Sequence, residues 1–173
     1  MTRKYPDEII DLALKYSESS PPAITLAQWA LETGYGRSVL YTKYNNCFGI
    51  KFSENAFNAD LNKGSTTQAT TEFARGEAFA IPQNFARYQS KDQSFRDRVR
   101  ILSSVLKLPA WSSGRGARAG LILEQLQSYD PIKRVFKGWS TDPQYRHKLR
   151  KIIQQDGLEK YDDTAKEKPP ARF

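Results

Sequence analysis

The 173-residue chain holds one cysteine and one histidine. A single cysteine excludes an intrachain disulfide and any cysteine-cluster metal site, and with only His147 beside it the means for zinc chemistry are missing as well. His147 stands between Arg146 and Lys148 and reads as a surface residue rather than a base. There is no apolar run long enough to cross a membrane, and the first twenty residues, MTRKYPDEIIDLALKYSESS, lack the apolar core of a secretory leader. A substrate outside the cytoplasm would then require phage-type lysis, a specialised secretion route or a leader already removed. Internal repeats and nucleic-acid-binding signatures are also missing.

What is present is a globular composition, 39% hydrophobic and 12% aromatic, in a length that suits one domain with a sizeable core. A net charge of +8 points to a polyanionic partner or surroundings. Nucleic acid fits the charge alone, but an anionic cell wall fits it equally, and Arg96, Arg98, Arg100, Lys107, Arg115 and Arg118 read one by one as a solvated basic face.

The stretch from Pro22 to Lys51 organises the rest. Pro21 and Pro22 suit the start of a helix, and Ile24, Ala27 and Leu31 recur at helical spacing. Gly34 is a left-handed stop, which puts Glu32 in the last turn. Partial negative charge at a helix C-terminus and apolar neighbours (Trp29, Tyr35, Phe48) both disfavour ionisation, so the carboxyl pKa rises and the group suits general acid catalysis. On the residues alone a solvated glutamate near a helix end stays open. Asn45-Asn46 makes a turn into the strand-like Cys47–Lys51, with Cys47 acting as a small buried hydrophobe.

Around this stretch the pattern predicts a helix from Pro6 to about Lys15 and a short one over Arg37–Lys43. A loop follows from Phe52 to Lys63. A hairpin comes next: Thr66–Phe73, with Thr67, Ala69, Thr71 and Phe73 as the apolar face and Gln68, Thr70 and Glu72 opposite, a turn at Arg75-Gly76, and a return over Ala78–Ile81 before Pro82. Glu77, just past the turn, is expected to face solvent. Ser90-Lys91-Asp92-Gln93 has capping-box form and opens a helix with Phe95, Val99, Leu102, Val105 and Leu106 inward and the arginines outward. Pro109–Gly116 reads as a loop centred on Trp111, which either stacks on a ligand or anchors the loop. Helices are then expected over about Ala117–Ser128, around Val135-Phe136, and from a Thr141 or Asp142 cap through Tyr145, Leu149, Ile152 and Ile153 to Gly157. Residues 161–173 read as a polar tail, disordered or loosely strapped, after a domain over 1–160. Helices, one hairpin, then more helices make an α+β protein with a mainly helical lobe and a small β lobe around a cleft.

Three blocks of this sequence together carry a resemblance. Ala27-Gln28-Trp29-Ala30-Leu31-Glu32-Thr33-Gly34-Tyr35-Gly36-Arg37-Ser38 with Asn45–Lys51, then Thr71–Gly76 followed by Tyr88-Gln89-Ser90 and Ser94-Phe95, and finally Trp139-Ser140-Thr141-Asp142-Pro143-Gln144-Tyr145, resemble glycoside hydrolase family 73. These are the peptidoglycan N-acetylglucosaminidases of autolysins, phage lysins and the flagellar rod hydrolase. Cys47 stands where the family usually has an aliphatic residue, and Trp139 where it often has tyrosine. The resemblance implies a lysozyme-like fold and hydrolysis of the β-1,4 bond after N-acetylglucosamine in peptidoglycan glycan strands. It implies Glu32 as general acid, Glu72 as the second functional carboxylate and Tyr145 as a third functional residue. It also implies Gln28, Tyr35, Asn46, Phe48 and Trp139 as substrate-binding residues, no metal or organic cofactor, and action on the wall in the periplasm or outside the cell. A base role for Glu72 with inversion and attack by the substrate's own acetamide both remain open, as do a muramidase, a lytic transglycosylase and a non-catalytic wall-binding module.

Overall fold

In a computed structural model, residues 4–52, 64–74, 77–108, 122–132 and 135–167 are described. The expectations for the loop after Phe52, the Arg75-Gly76 turn, Trp111 with its loop, Arg115, Arg118 and the start of the following helix lie outside them.

Helix α2 (Pro22–Thr33) forms the axis of the fold. Every side chain from Pro22 to Ala30 is buried, as expected of a helix apolar on nearly all faces. It packs against α1 (Asp7–Lys15), α5 (Tyr145–Asp156) and α6 (Glu159–Glu167). Trp29, Ile24 and Leu26 lose essentially all solvent contact, worth about 1.5–3 kcal/mol per large side chain. Gly34 closes the helix with φ +57°, and its N–H donates to the Ala30 carbonyl. After the short α3 (Val39–Tyr44), Asn45 turns the chain in the left-handed region at φ +54°.

The hairpin is longer than the sequence pattern indicates. Strands β1 (Ser65–Ala74) and β2 (Glu77–Ala86) pair antiparallel from Ser65↔Ala86 to Ala74↔Glu77, straight through Pro82 opposite Ala69. A two-stranded ribbon has two free edges, so a residue without an N–H is tolerated there. The faces are also exchanged: Thr67, Ala69 and Thr71 are exposed, while Gln68, Thr70 and Glu72 turn to the sheltered side. Glu77 is exposed. The 50–52 segment joins β2 through Ala86 N–H to Ile50 carbonyl and Phe52 N–H to Asn84 carbonyl, both 2.9 Å, and so ties the ribbon to the stretch after α2.

Helix α4 (Lys91–Arg100) starts at Ser90, whose hydroxyl accepts from the Gln93 N–H, while the Gln93 side chain accepts from the Gln89 N–H. Its buried face departs from expectation. Phe95, Arg98 and Leu102 share it at spacings of three and four, so Arg98 is 1% exposed, whereas Val105 is 57% exposed. The wider turn of a π-helical segment, Ile101–Val105, rotates Val105 off the core face.

Residues 122–125 are helical, but from Gln127 the chain is extended: β3 (Gln127–Asp130) and β4 (Val135–Gly138) form a second hairpin where helix was expected at Ser128 and at Val135-Phe136. Helix α5 begins at Tyr145 with Gln144 as its N-cap, and Asp142 accepts from the Gln144 N–H instead of capping the helix directly. Residues 161–167 of the expected tail belong to α6, and residues 168–173 lie outside the described ones; Asp162 accepts from the Ala23 N–H at 2.8 Å, which occupies one of the free donors of the first turn of α2. None of the described helices is long and apolar enough to cross a membrane.

Candidate active site

Glu32 reaches the floor of an open cavity of about 770 Å³ between the helical lobe and the β1–β2 ribbon. Gly49, Lys51, Glu72, Trp139 and Thr141 share its wall, and Val39, Leu40, Ile101 and Val105 give it an apolar flank. Two backbone features hold Glu32 there. The left-handed stop at Gly34 ends the helix one turn past the buried core, and Gly49 passes so close, at φ +60°, that a Cβ on it would lie 3.1 Å from Glu32 Oε2.

The two carboxylates differ in protonation. Burial pushes Glu32 up to about 7, against the pull of hydrogen bonds from Tyr145 and Trp139, and the charge of Asp142 adds to the rise. Glu72 is also raised by burial, but Lys51 and Thr141 outweigh that and hold it below the ordinary carboxylate range. Lys51 Nζ donates to Glu72 Oε1 at 2.5 Å and the Thr141 hydroxyl to Oε2 at 2.6 Å. Near neutral pH the cavity thus presents one carboxyl able to carry a proton and one carboxylate without.

Of the residues singled out from sequence, Glu32, Glu72 and Trp139 line the cavity. Tyr145 stands behind Glu32: 2% exposed, it donates its hydroxyl proton to Glu32 Oε1 at 3.1 Å. The other four are displaced from the wall. Gln28 is fully buried and donates to the Tyr145 oxygen at 2.9 Å. Asn46, also fully buried, donates to the Ile50 and Ala86 carbonyls and accepts from the Phe48 and Ile50 N–H groups, so its side chain is spent on tying the 48–50 stretch to the end of β2. Phe48 lies in the core, edge-on to Phe95 at 4.8 Å and to Trp139 at 6.4 Å. Tyr35 turns away to donate to Asp156 at 3.0 Å. Motif membership alone did not separate wall from support, because a residue that holds a loop sits in the same short stretch as one that touches the cleft.

Arg98 and Thr141 are the residues that sequence reasoning misses, the first being a surface charge there and the second a helix cap. The signal for Arg98 was its place in the Phe95–Leu102 register. Among the described residues no three His, Cys, Asp or Glu side chains come together as metal ligands do.

A helical lobe and a small β lobe around a cavity with one carboxyl of raised and one of lowered pKa define the class of lysozyme-like glycoside hydrolases. Within that class the chain belongs to the glucosaminidase family, described as mannosyl-glycoprotein endo-beta-N-acetylglucosaminidase, which matches residues 7–158. It is 32% identical over 140 residues to the peptidoglycan hydrolase FlgJ of Escherichia coli K12, covering 78% of this chain and 40% of that protein. It is 26% identical over 149 residues to the exo-glucosaminidase LytG of Bacillus subtilis, covering 83% and 46%. The chain therefore spans less than half the length of these curated relatives. The crystal structure of the catalytic domain of the autolysin Auto from Listeria monocytogenes superposes with a TM-score of 0.58 at 26% identity, over 90% of this chain and 84% of that one.

Proposed function

We propose that this protein is a peptidoglycan hydrolase that cleaves the β-1,4 bond after N-acetylglucosamine, outside the cytoplasm, with Glu32 as general acid. The observation that carries the reading is a carboxyl raised to about 7 on the floor of an open cavity that also holds a carboxylate kept ionised. Glu32 gives its proton to the glycosidic oxygen as the bond from C1 to that oxygen breaks, and positive charge develops on the sugar. A water then adds to C1. Either Glu72 takes the water's proton and configuration inverts, or the acetamide oxygen of the substrate attacks C1 first and water opens that intermediate with retention. Lys51 and Thr141 keep Glu72 anionic on either route, and Trp139 offers a flat apolar surface on the wall. Tyr145 touches Glu32 and not the cavity, so its part is to hold the acid.

Purified peptidoglycan digested with wild type and with Glu32→Gln, reduced with borohydride and read by mass spectrometry, tests this. Reduced N-acetylglucosamine ends made by the wild type alone are expected. Reduced N-acetylmuramic acid ends would make the protein a muramidase, anhydro ends a transglycosylase, and no release from several wall types a binding module.

A further inference from the structure

The buried guanidinium of Arg98 is not used by the reaction just described. It is 1% exposed, and none of the described salt bridges includes it. Its partners are neutral: Nε and Nη2 donate to Gln28 Oε1 at 2.9 and 2.5 Å, Nη2 donates to the Ser20 hydroxyl at 3.0 Å, and its Cζ lies 5.2 Å from the centre of the Phe48 ring and 5.9 Å from that of the Trp139 ring. Burying a cation without an anion costs several kcal/mol. For stability alone an apolar side chain would serve this core position better.

Arginine only donates, so the end of Gln28 that faces it must be the carbonyl oxygen. The amide nitrogen of Gln28 then faces Tyr145 and donates to its oxygen. With its oxygen receiving that bond, Tyr145 turns its one proton to Glu32 Oε1. Oε1 is thereby an acceptor, and the acid's own proton belongs on Oε2, the oxygen beside Gly49 at the cavity. A neutral residue at position 98 would let the amide of Gln28 flip and the whole chain reverse.

We propose that Arg98 is a positioning residue: acting through Gln28 and Tyr145, it sets the direction of a buried hydrogen-bond chain so that the transferable proton of Glu32 resides on Oε2. The proposal rests on Glu32 being the general acid. It also gives the cation an electrostatic part, since burial lowers Arg98 only to about 9 and it remains charged at neutral pH. Tyr145 is held well above its ordinary value by burial and by the charge of Glu32, and so keeps its proton throughout. The other groups that face Glu32 are Trp139 and Asp142 from the segment before α5, and Glu72 with its partner Lys51 across the cavity. Asp97 and Arg100, the charged neighbours on α4, bond to each other, and Asp97 also accepts from Tyr88.

Two measurements decide it. Neutron diffraction from wild-type crystals at pH 5 should show deuterium on Glu32 Oε2 and on Tyr145 directed at Oε1; deuterium on Oε1 overturns the proposal. Arg98→Met, which removes the cation, and Gln28→Met, which keeps the cation but cuts the chain, should each move the carbon-13 carboxyl titration of Glu32 upward by about half a pH unit or more. On peptidoglycan each should lower kcat roughly ten- to hundredfold with little change in KM. A purely structural arginine would lower the melting temperature and leave the Glu32 titration in place. A shift in Arg98→Met without one in Gln28→Met would reduce the effect to charge through space and also overturn the chain. Because proton placement and titration are read without substrate, they separate this proposal from the function itself, which fails if wild type and Glu32→Gln act alike on the wall.

Discussion

Replacing Glu32 by glutamine should stabilise the protein, and by an amount that depends on pH. The carboxyl is raised from 4.5 to about 7, with burial as the leading cause. In that interval the unfolded chain has already lost the proton that the folded protein keeps, so the unfolded state binds fewer protons and stability falls as pH rises. The penalty is absent below pH 4.5, grows through the interval and is complete above about pH 7. At about 1.36 kcal/mol per pKa unit the shift corresponds to roughly 3 kcal/mol, and solvent in the open cavity trims it to about 2–3 kcal/mol. Glutamine has the same shape, can still accept the Tyr145 proton and carries no charge. Glu32→Gln should therefore match wild type near pH 4.5 and exceed it by about 2–3 kcal/mol at pH 8, or about 4–12 °C in Tm for a chain of this size. Thermal unfolding of both proteins across pH 4.5–8 measures the difference, in which all other titrating groups cancel. An offset that is the same at both ends of the range would refute a carboxyl destabilised by burial, and with it the reason for choosing Glu32 as the acid.

Two further outcomes follow from the cavity wall and its supports. Lys51→Met removes the donor and charge that lower Glu72, so the acid limb of kcat/KM against pH should move to higher pH while the alkaline limb, set by Glu32, stays in place; an unmoved acid limb would mean that Glu72 does not titrate in the reaction. Gly138 sits at φ +112° with the Leu126 carbonyl 2.3 Å from where a Cβ would be, and that same carbonyl accepts the Trp139 N–H at 2.8 Å. Gly138→Ala should cost about 2 kcal/mol or more in denaturant unfolding and should lower activity by displacing Trp139; a neutral substitution would show that the β3–β4 ribbon yields freely.

The sequence by itself determined the elements whose cause is local. Pro22 and Gly34 bracket α2 and put Glu32 in its last turn, Ser90 and Gln93 start α4, and Gly157 ends α5. The family was legible for a related reason: chemistry on a sugar demands particular residues in fixed short spacings, which survive in the chain as motifs. Tertiary structure decided what depends on partners distant in sequence. The 127–138 segment is a ribbon rather than helix because its two halves pair with each other and Gly138 lets the backbones close on Leu126. Glu72 is ionised because Lys51 and Thr141, 21 and 69 residues away, converge on it. Asn46, Phe48 and Gln28 support the wall instead of forming it, since the same motif that brings Glu32 to the cavity buries its neighbours beneath it. Above all, the burial of Arg98 was decided this way: the register of α4 aims it inward, but distant partners are what keep it there. A charged residue is read from sequence as solvated, and only the packing of α2, α4 and α5 around Gln28 and Tyr145 supplies the polar partners that let a cation remain in the core.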